Sequence, residues 1–342
     1  MKKNNISIKT IASDLNISTT TVSFVLNGKA KEKHISDELA RKVLEYAEKV
    51  NYRPNPIAQS LRTGKSNTLV LMVEDISNNF FARLARVIED IAYRKGYKVI
   101  FCSHENDDKK VEELIRYFRF RMVDGFIIVP SPGIRNTIEQ LLEDNIPVVM
   151  VDRYFENMPC NIVVIDNKEA AHTATRHLVD NGFRNIAFVT VDMEQTQMLE
   201  RLQGYEDAVL AAGLESSVLK IPFEVARLAQ GKNMIYNFIS KNTDIDAIFF
   251  ATNYLTQSGL EIFNSKDPLF IRKIGLVAFD DNEFFKIYNP SITAVAQPLA
   301  DMGTELMRLM ISLLKRKNVK EGSRKVVLKA ELIVRSSSEA RP

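Results

Sequence analysis

From Asn67 onward the chain alternates short apolar runs with amphipathic stretches, and this alternation restricts the fold more than any other feature. The runs TLVLMV, YKVIFC, DGFIIVP, IPVVMVD, NIAFVTV, DAIFFAT and KIGLVAFDD are almost continuously apolar, as strands buried on both faces must be. Between them, segments such as FARLARVIEDIAYRKG and KEAAHTATRHLVDNG space their apolar residues at helical intervals. Strand, crossover helix and strand in succession imply parallel sheets. A chain of 342 residues exceeds what one core accommodates, and a fresh helix–strand series begins near Asp166. Two α/β subdomains are therefore expected.

The segment before Asn67 has a different character. Ser7 is placed to cap a helix carrying Ile8, Ile11, Ala12 and Leu15, and Asn16 suits the tight turn that follows. Ser18 caps a second helix with Val22, Val25 and Leu26 inward, and Asn27-Gly28 ends it. Ser36 caps a third, with Asp37 and Glu38 at its positive end and Leu39, Val43, Tyr46 or Ala47, and Val50 along one stripe. Three short helices with so tight a first turn make a helix-turn-helix headpiece over residues 1–50. Residues 51–66, NYRPNPIAQSLRTGKSN with its flank, form an expected hinge in which PIAQSLR is a helix too short to persist unaided. Residues 1–65 carry 12 Lys/Arg against 6 Asp/Glu, while the remainder is net −3. A basic module on a mildly acidic body points to a polyanionic partner at one end.

Exclusions follow from what is missing. Two cysteines without a CxxC spacing fit a reducing compartment. The start MKKNNISIKT lacks a signal-peptide pattern, and no apolar run approaches the length of a membrane span. A cytoplasmic, nucleoid-associated protein with no membrane partner is expected. His172 and His177 are five apart, off the spacing of one helical face, and His34, His104 and Cys102 stand without partners for catalysis or zinc. No GxSxG, P-loop or GxGxxG is present. The chain is not expected to be an enzyme or to need a cofactor or metal.

The segments ISIKTIASDLNISTTTVSFVLNGKA and RKVLEYAEKVNYRPNPIAQSLRTGKSNTLVLMVEDISNNFFARLARVIEDIAYRKGY resemble the lactose-repressor (LacI/GalR) family of bacterial regulators. The similarity continues through VDGFIIVPS, IPVVMVDR, GFRNIAFVT, ERLQGYEDA, LVAFDD and PSITAVAQP to ELIVRSSSEA, in the family's order and over nearly the whole chain. The resemblance implies a homodimer with two headpieces on a pseudo-palindromic operator in double-stranded DNA. It also implies a core like the periplasmic sugar-binding proteins, with a small effector between subdomains. These would comprise residues 67–165 and 297–325, and residues 166–296 and 326–342.

Carried onto this sequence, the family's base-reading positions are Thr19, Thr20 and Phe24. Ser18, Thr21, Ser23, Asn27, Tyr52, Arg53 and Arg62, with Lys65, are candidates for phosphate contact or helix capping. The family often has Arg or His where Phe24 stands. Phe24 either meets a thymine methyl in the groove or packs inward and reads nothing, and the sequence leaves both open. Leu61 matches the hinge leucine that family members wedge into the minor groove, with Ala58 small enough for close approach. The matched effector residues are Phe80, Phe81, Asp152, Arg201, Phe223, Asn253 and Asp280, a set suited to a sugar or sugar phosphate. In place of the family's Asn-Asp, this chain has Asn253-Tyr254, which implies an altered pocket or interdomain contact. Two rival readings were weighed. A transporter's solute-binding protein would share the core, but residues 1–65 oppose it; an enzyme on a doubly wound fold lacks a catalytic constellation. The expected function is a DNA-binding regulator, a repressor, under effector control of undetermined sign.

Overall fold

The computed structural model describes residues 6–52, 64–316 and 318–339. The chain divides into two compact units, residues 1–66 and 67–342.

The first unit contains α1 (Ile8–Asp14), α2 (Thr19–Leu26) and α3 (Asp37–Lys49). All three start at serine caps: Ser7, Ser18 and Ser36 each accept from a backbone N–H three residues on. These bonds satisfy donors that a helix start leaves open. Asn16 takes a left-handed conformation, φ 51°, and turns the chain between α1 and α2. Ile11, Ala12, Val22, Val25, Val43 and Ala47 form the core, with Leu26, Leu39, Tyr46 and Tyr52 packed around it. Tyr46 Oη donates to Asp14 Oδ2 at 2.5 Å and ties α3 to α1.

The second unit holds two six-stranded sheets. The first contains β1 (Thr68–Val73), β2 (Lys98–Ser103), β3 (Gly125–Ile128), β4 (Val148–Val151), β5 (Asn161–Ile165) and β11 (Lys325–Leu328), in the order β2-β1-β3-β4-β5-β11, all parallel. The second contains β6 (Ile186–Val191), β7 (Ser217–Ile221), β8 (Ala247–Phe250), β9 (Gly275–Phe279), β10 (Thr293–Ala296) and β12 (Glu331–Ile333), in the order β7-β6-β8-β9-β10-β12. Only β12 runs antiparallel. The central strands are wholly buried, which their unbroken Val, Ile, Leu and Phe runs require.

Helices α4 (Asn79–Arg94), α5 (Asp108–Phe120) and α6 (Arg135–Glu143) connect strands of the first sheet, and α11 (Leu299–Leu313) packs on α4. Helices α7 (Asn167–Asp180), α8 (Thr196–Ala211), α9 (Ala229–Lys241) and α10 (Asn253–Lys266) serve the second. In both sheets the order reverses at the first strand, between β1 and β3 and between β6 and β8. Open α/β sheets bind ligands beyond the carboxyl ends of strands at that reversal.

The seven apolar runs become β1–β4, β6, β8 and β9, and five further strands join them. One expected boundary is corrected. Residues 326–328 lie in the first sheet and not with the C-terminal subdomain, because Val326–Leu328 pair with Val163–Ile165 of β5. The final crossing therefore falls between Leu328 and Glu331.

Helices α7 and α8 pack closely because Gly204 has no side chain. A Cβ there would overlap the Lys168 carbonyl and press on His172 N and the Ala171 Cβ. The obstruction is mostly helix backbone, which cannot yield cheaply. Gly204→Ala should destabilise the protein by about 1–3 kcal/mol, an overpacking cost measurable by denaturant unfolding. Unchanged stability would show that the helices separate freely.

Candidate nucleic-acid interface and ligand cleft

In the headpiece, Ser18 and Thr21 are occupied with each other: Ser18 Oγ accepts from Thr21 N at 3.0 Å and bonds Thr21 Oγ1 at 2.8 Å. Asn27 Nδ2 donates to the Ser23 carbonyl at 2.7 Å, closing the other end of α2. Thr19 and Thr20 are exposed beside the cap. Phe24 is half-buried, one turn from Thr20, and lies outside the headpiece core. The Lys33 ammonium sits 5.6 Å from its ring centroid. A phenylalanine that packed inward would join Val22 and Val25, and Phe24 does not. Helix α2 thus presents two threonines and an aromatic ring at helical spacing, with a cation alongside. Tyr52 is half-buried against the headpiece. Arg53, Ala58, Leu61 and Arg62 lie outside the described residues.

In the second unit, both sets of strand ends face one polar region with two compartments. The inner chamber is only about 30 Å³ and is lined by Phe80, Phe81, Asp152, Arg201, Tyr254 and Asp280, among others. Phe80 and Phe81 come from the first turn of α4, which Asn78 caps by accepting from Phe80 N at 3.1 Å. Arg201, on α8, is 2% exposed. It donates to Asn167 Oδ1 at 2.9 Å and to the Ala251 carbonyl at 2.8 Å, and it lies 3.6 Å over the Phe279 ring.

Asp152 and Asp280 occupy equivalent places, one residue beyond β4 and one beyond β9. Both adopt left-handed backbone, φ 69° and 70°, a conformation costly for residues other than glycine and concentrated at functional sites. Burial pushes Asp152 up to about 6, against the lowering pull of Arg153 and Arg201. Burial also raises Asp280, whose Oδ1 accepts from Gln297 Nε2 at 2.6 Å. Tyr254 is a bulky ring turned into this chamber, with the Arg227 guanidinium 4.5 Å over its face.

The outer cleft is far larger, about 1030 Å³. Of the expected effector residues only Phe223 lines it. Asn253 lines neither compartment: it is 7% exposed, its Nδ2 donates to Asn78 Oδ1 at 2.8 Å, and it borders a separate polar recess. Its position at the first turn of α10, just past the Thr252 cap, turns it toward the neighbouring subdomain.

Several cleft residues were not singled out from the sequence. Buried Arg153 bonds buried Glu74 through Nη2 at 2.9 Å, yet its Nε and Nη1 have no hydrogen-bond partner. Asn106 donates to Glu74 at 3.0 Å, and its own Oδ1 is unpartnered. Gln195 Nε2 is likewise buried without a partner. Arg227 crosses from the other subdomain to pair with Asp75 and approaches Glu74 at 3.7 Å. Buried polar atoms without partners are rare, and several around one cleft mark where a polar ligand would bond. In the sequence these residues stand directly after strand runs, MV-Glu74 and VVMVD-Arg153, which is the one signal that could have found them.

Among the described residues no group of three or more His, Cys, Asp or Glu could hold a metal, and no helix is long and apolar enough to cross a membrane.

Comparison with known proteins agrees with this two-part organisation. Residues 7–55 match the family model for bacterial regulatory proteins of the lacI family, and residues 66–335 match that for periplasmic binding proteins and the sugar-binding domain of the LacI family. The transcriptional regulator RegA of Clostridium saccharobutylicum is 30% identical over 97% of this chain and 99% of its own. The ribose operon repressor of Halalkalibacterium halodurans is 30% identical over 91% of each. A putative ribose operon repressor from Burkholderia thailandensis superposes with a TM-score of 0.69 at 25% identity, covering 79% of this chain and 99% of that one. The regulator CelR in complex with cellobiose shares the fold, with a TM-score of 0.67 at 23% identity, covering 97% of this chain and 99% of that one. With both of its parts matched in order, this chain belongs to the LacI family of bacterial transcriptional regulators.

Proposed function

We propose that the protein is a cytoplasmic repressor that binds a pseudo-palindromic operator as a homodimer and releases or tightens on it when a carbohydrate occupies the core. The observation that carries the ligand half is the convergence of unpartnered buried polar atoms on a cleft lined by both subdomains. A ligand that bonds both walls favours one relation of the subdomains over another, and by linkage shifts the DNA-binding equilibrium. The DNA half rests on α2, whose exposed Thr19 and Thr20 and outward Phe24 would face base edges in the major groove. Fluorescence titration against DNA from the protein's own promoter region should show specific binding that weakens steeply with salt as phosphate contacts release counterions. Absence of specific binding at every salt concentration would refute the reading.

Three further outcomes are expected. Selection of preferred DNA sites with the natural protein and with Phe24→Arg should differ at one base step, the variant gaining a guanine; identical preferences would mean that Phe24 reads nothing. Asp280→Asn should abolish the response of DNA binding to ligand while leaving DNA affinity unchanged, and a retained response in a reporter assay would remove Asp280 from the ligand site.

The third concerns pH. The unfolded chain releases the Asp152 proton at the ordinary value of 3.8, whereas the folded protein holds it to about 6. Between those values the native state binds more protons, so this group's contribution to stability falls as pH rises from about 4 to about 6. Asp152→Asn, which tolerates the left-handed backbone, should gain Tm relative to the natural protein across that window and hold the gain above it. A Tm difference independent of pH would contradict the raised value.

A further inference from the structure

The inner chamber cannot hold a sugar ring. Its volume of about 30 Å³ is one water's share of liquid, and its strongest donor, Arg201, already bonds Asn167 and Ala251. The outer cleft, at about 1030 Å³, reaches the top of the usual range for small-molecule sites, about 300–1,000 Å³. Space for a ligand therefore lies outside the chamber.

The charge on the cleft walls restricts the ligand. Its two cations, Arg153 and Arg227, are already paired with Glu74 and Asp75. Asp192, Glu194 and Glu224 also line the cleft and make no ion pair among the described residues. A phosphate brought here would meet surplus carboxylates and no free cation, so its desolvation would go uncompensated. The unpartnered atoms narrow the chemistry further. Arg153 Nε and Nη1 and Gln195 Nε2 need acceptors, whereas Asn106 Oδ1 needs a donor. A phosphate only accepts and a polyamine only donates. Hydroxyl groups do both.

The third constraint is shape. Tyr154, Phe155 and Phe223 supply three half-exposed rings to the cleft. Lys325 Nζ lies 3.8 Å from the Tyr154 centroid and donates to Tyr154 Oη at 2.5 Å, which fixes that ring. The Arg135 guanidinium lies 5.3 Å from the Phe155 centroid. Fixed aromatic faces suit the apolar faces of successive sugar rings.

We infer that the effector is a neutral, unphosphorylated oligosaccharide of two or more sugar units, lying along the outer cleft over the Arg153–Glu74 pair with its rings against Tyr154 and Phe223. This rests on the reading of the cleft as the effector site. It excludes sugar phosphates, nucleotides and single sugars as the cognate ligand.

The test is calorimetric titration of the full-length protein with neutral di- and trisaccharides of glucose, xylose, galactose and mannose, with each free monosaccharide, and with glucose 6-phosphate. At least one neutral oligosaccharide should bind about tenfold or more tighter than its monosaccharide and than the phosphate. Tyr154→Ala should weaken that affinity about tenfold, the equivalent of one stacking contact, and Phe223→Ala provides a second variant should the first fold poorly. Tighter binding of glucose 6-phosphate or of a monosaccharide would overturn the inference, and so would failure of every neutral oligosaccharide to bind. If such a competing ligand loses affinity in Asp280→Asn, the cleft still stands as the effector site. A ligand whose affinity is unchanged in Asp280→Asn, Tyr154→Ala and Phe223→Ala would instead overturn the cleft reading itself.

Discussion

The ligand face of the core is organised around one buried carboxylate. Glu74, 6% exposed at the end of β1, accepts from Arg153 at the end of β4 and from Asn106 in the loop after β2, and is approached by Arg227 from the opposite subdomain. Removing one partner of such a buried pair leaves a charge without compensation, at about 3–5 kcal/mol. Asn106 depends on a further group. It and Glu105 both adopt left-handed backbone, φ 58° and 55°, and its N–H donates to His104 Nδ1 at 3.1 Å. The His104 Nε2 proton therefore goes to the Val129 carbonyl at 2.9 Å. Burial lowers this histidine to about 4, so it stays neutral and keeps that donor–acceptor arrangement at physiological pH.

The contacts that join the two subdomains across the cleft are of another kind. Arg227 to Asp75, Asn253 to Asn78 and Tyr154 Oη to Glu200 are single polar bonds at partly exposed positions. Such bonds contribute little each. Behind them lie buried atoms whose bonding is incomplete. The subdomains are thus weakly held while the groups that would reward a ligand are already in place, so a ligand with modest differential affinity suffices to bias their relation.

Much of this was legible in the chain. The serine caps at Ser7, Ser18 and Ser36 announce three helices because few other residues satisfy open N–H groups at a helix start, and all three serve in that role. The apolar runs announce buried parallel strands for the same reason that hydrocarbon avoids water. Edge strands were harder to see: β7, β11 and β12 are half-exposed and mix Lys or Glu with apolar residues, so their pattern is weak. Among site residues, Asp152, Arg201 and Asp280 converge on one chamber with Phe80 and Phe81, whereas Asn253 turns elsewhere. The outer cleft was invisible. Its walls come from loops after six different strands, and no local spacing brings Arg153 to Glu74 across 79 residues. The consequence of Tyr254 was half visible: a changed pocket was expected, but only packing shows that the ring helps leave the chamber the size of a single water.

The backbone passes between the two sheets three times, after β5, after β10 and after β11. Three parallel tethers remove sliding and separation from the motions open to the halves and leave chiefly rotation about an axis through the tethers. Strand β1 converts that rotation into displacement. It ends at Glu74 beside the cleft and begins at Thr68, immediately after the chain leaves the headpiece unit. At about 3.3 Å per residue, this six-residue strand is a rod of roughly 20 Å, stiffened by neighbours on both sides. A tilt at its ligand end arrives at its far end as translation, without any side chain having to relay it.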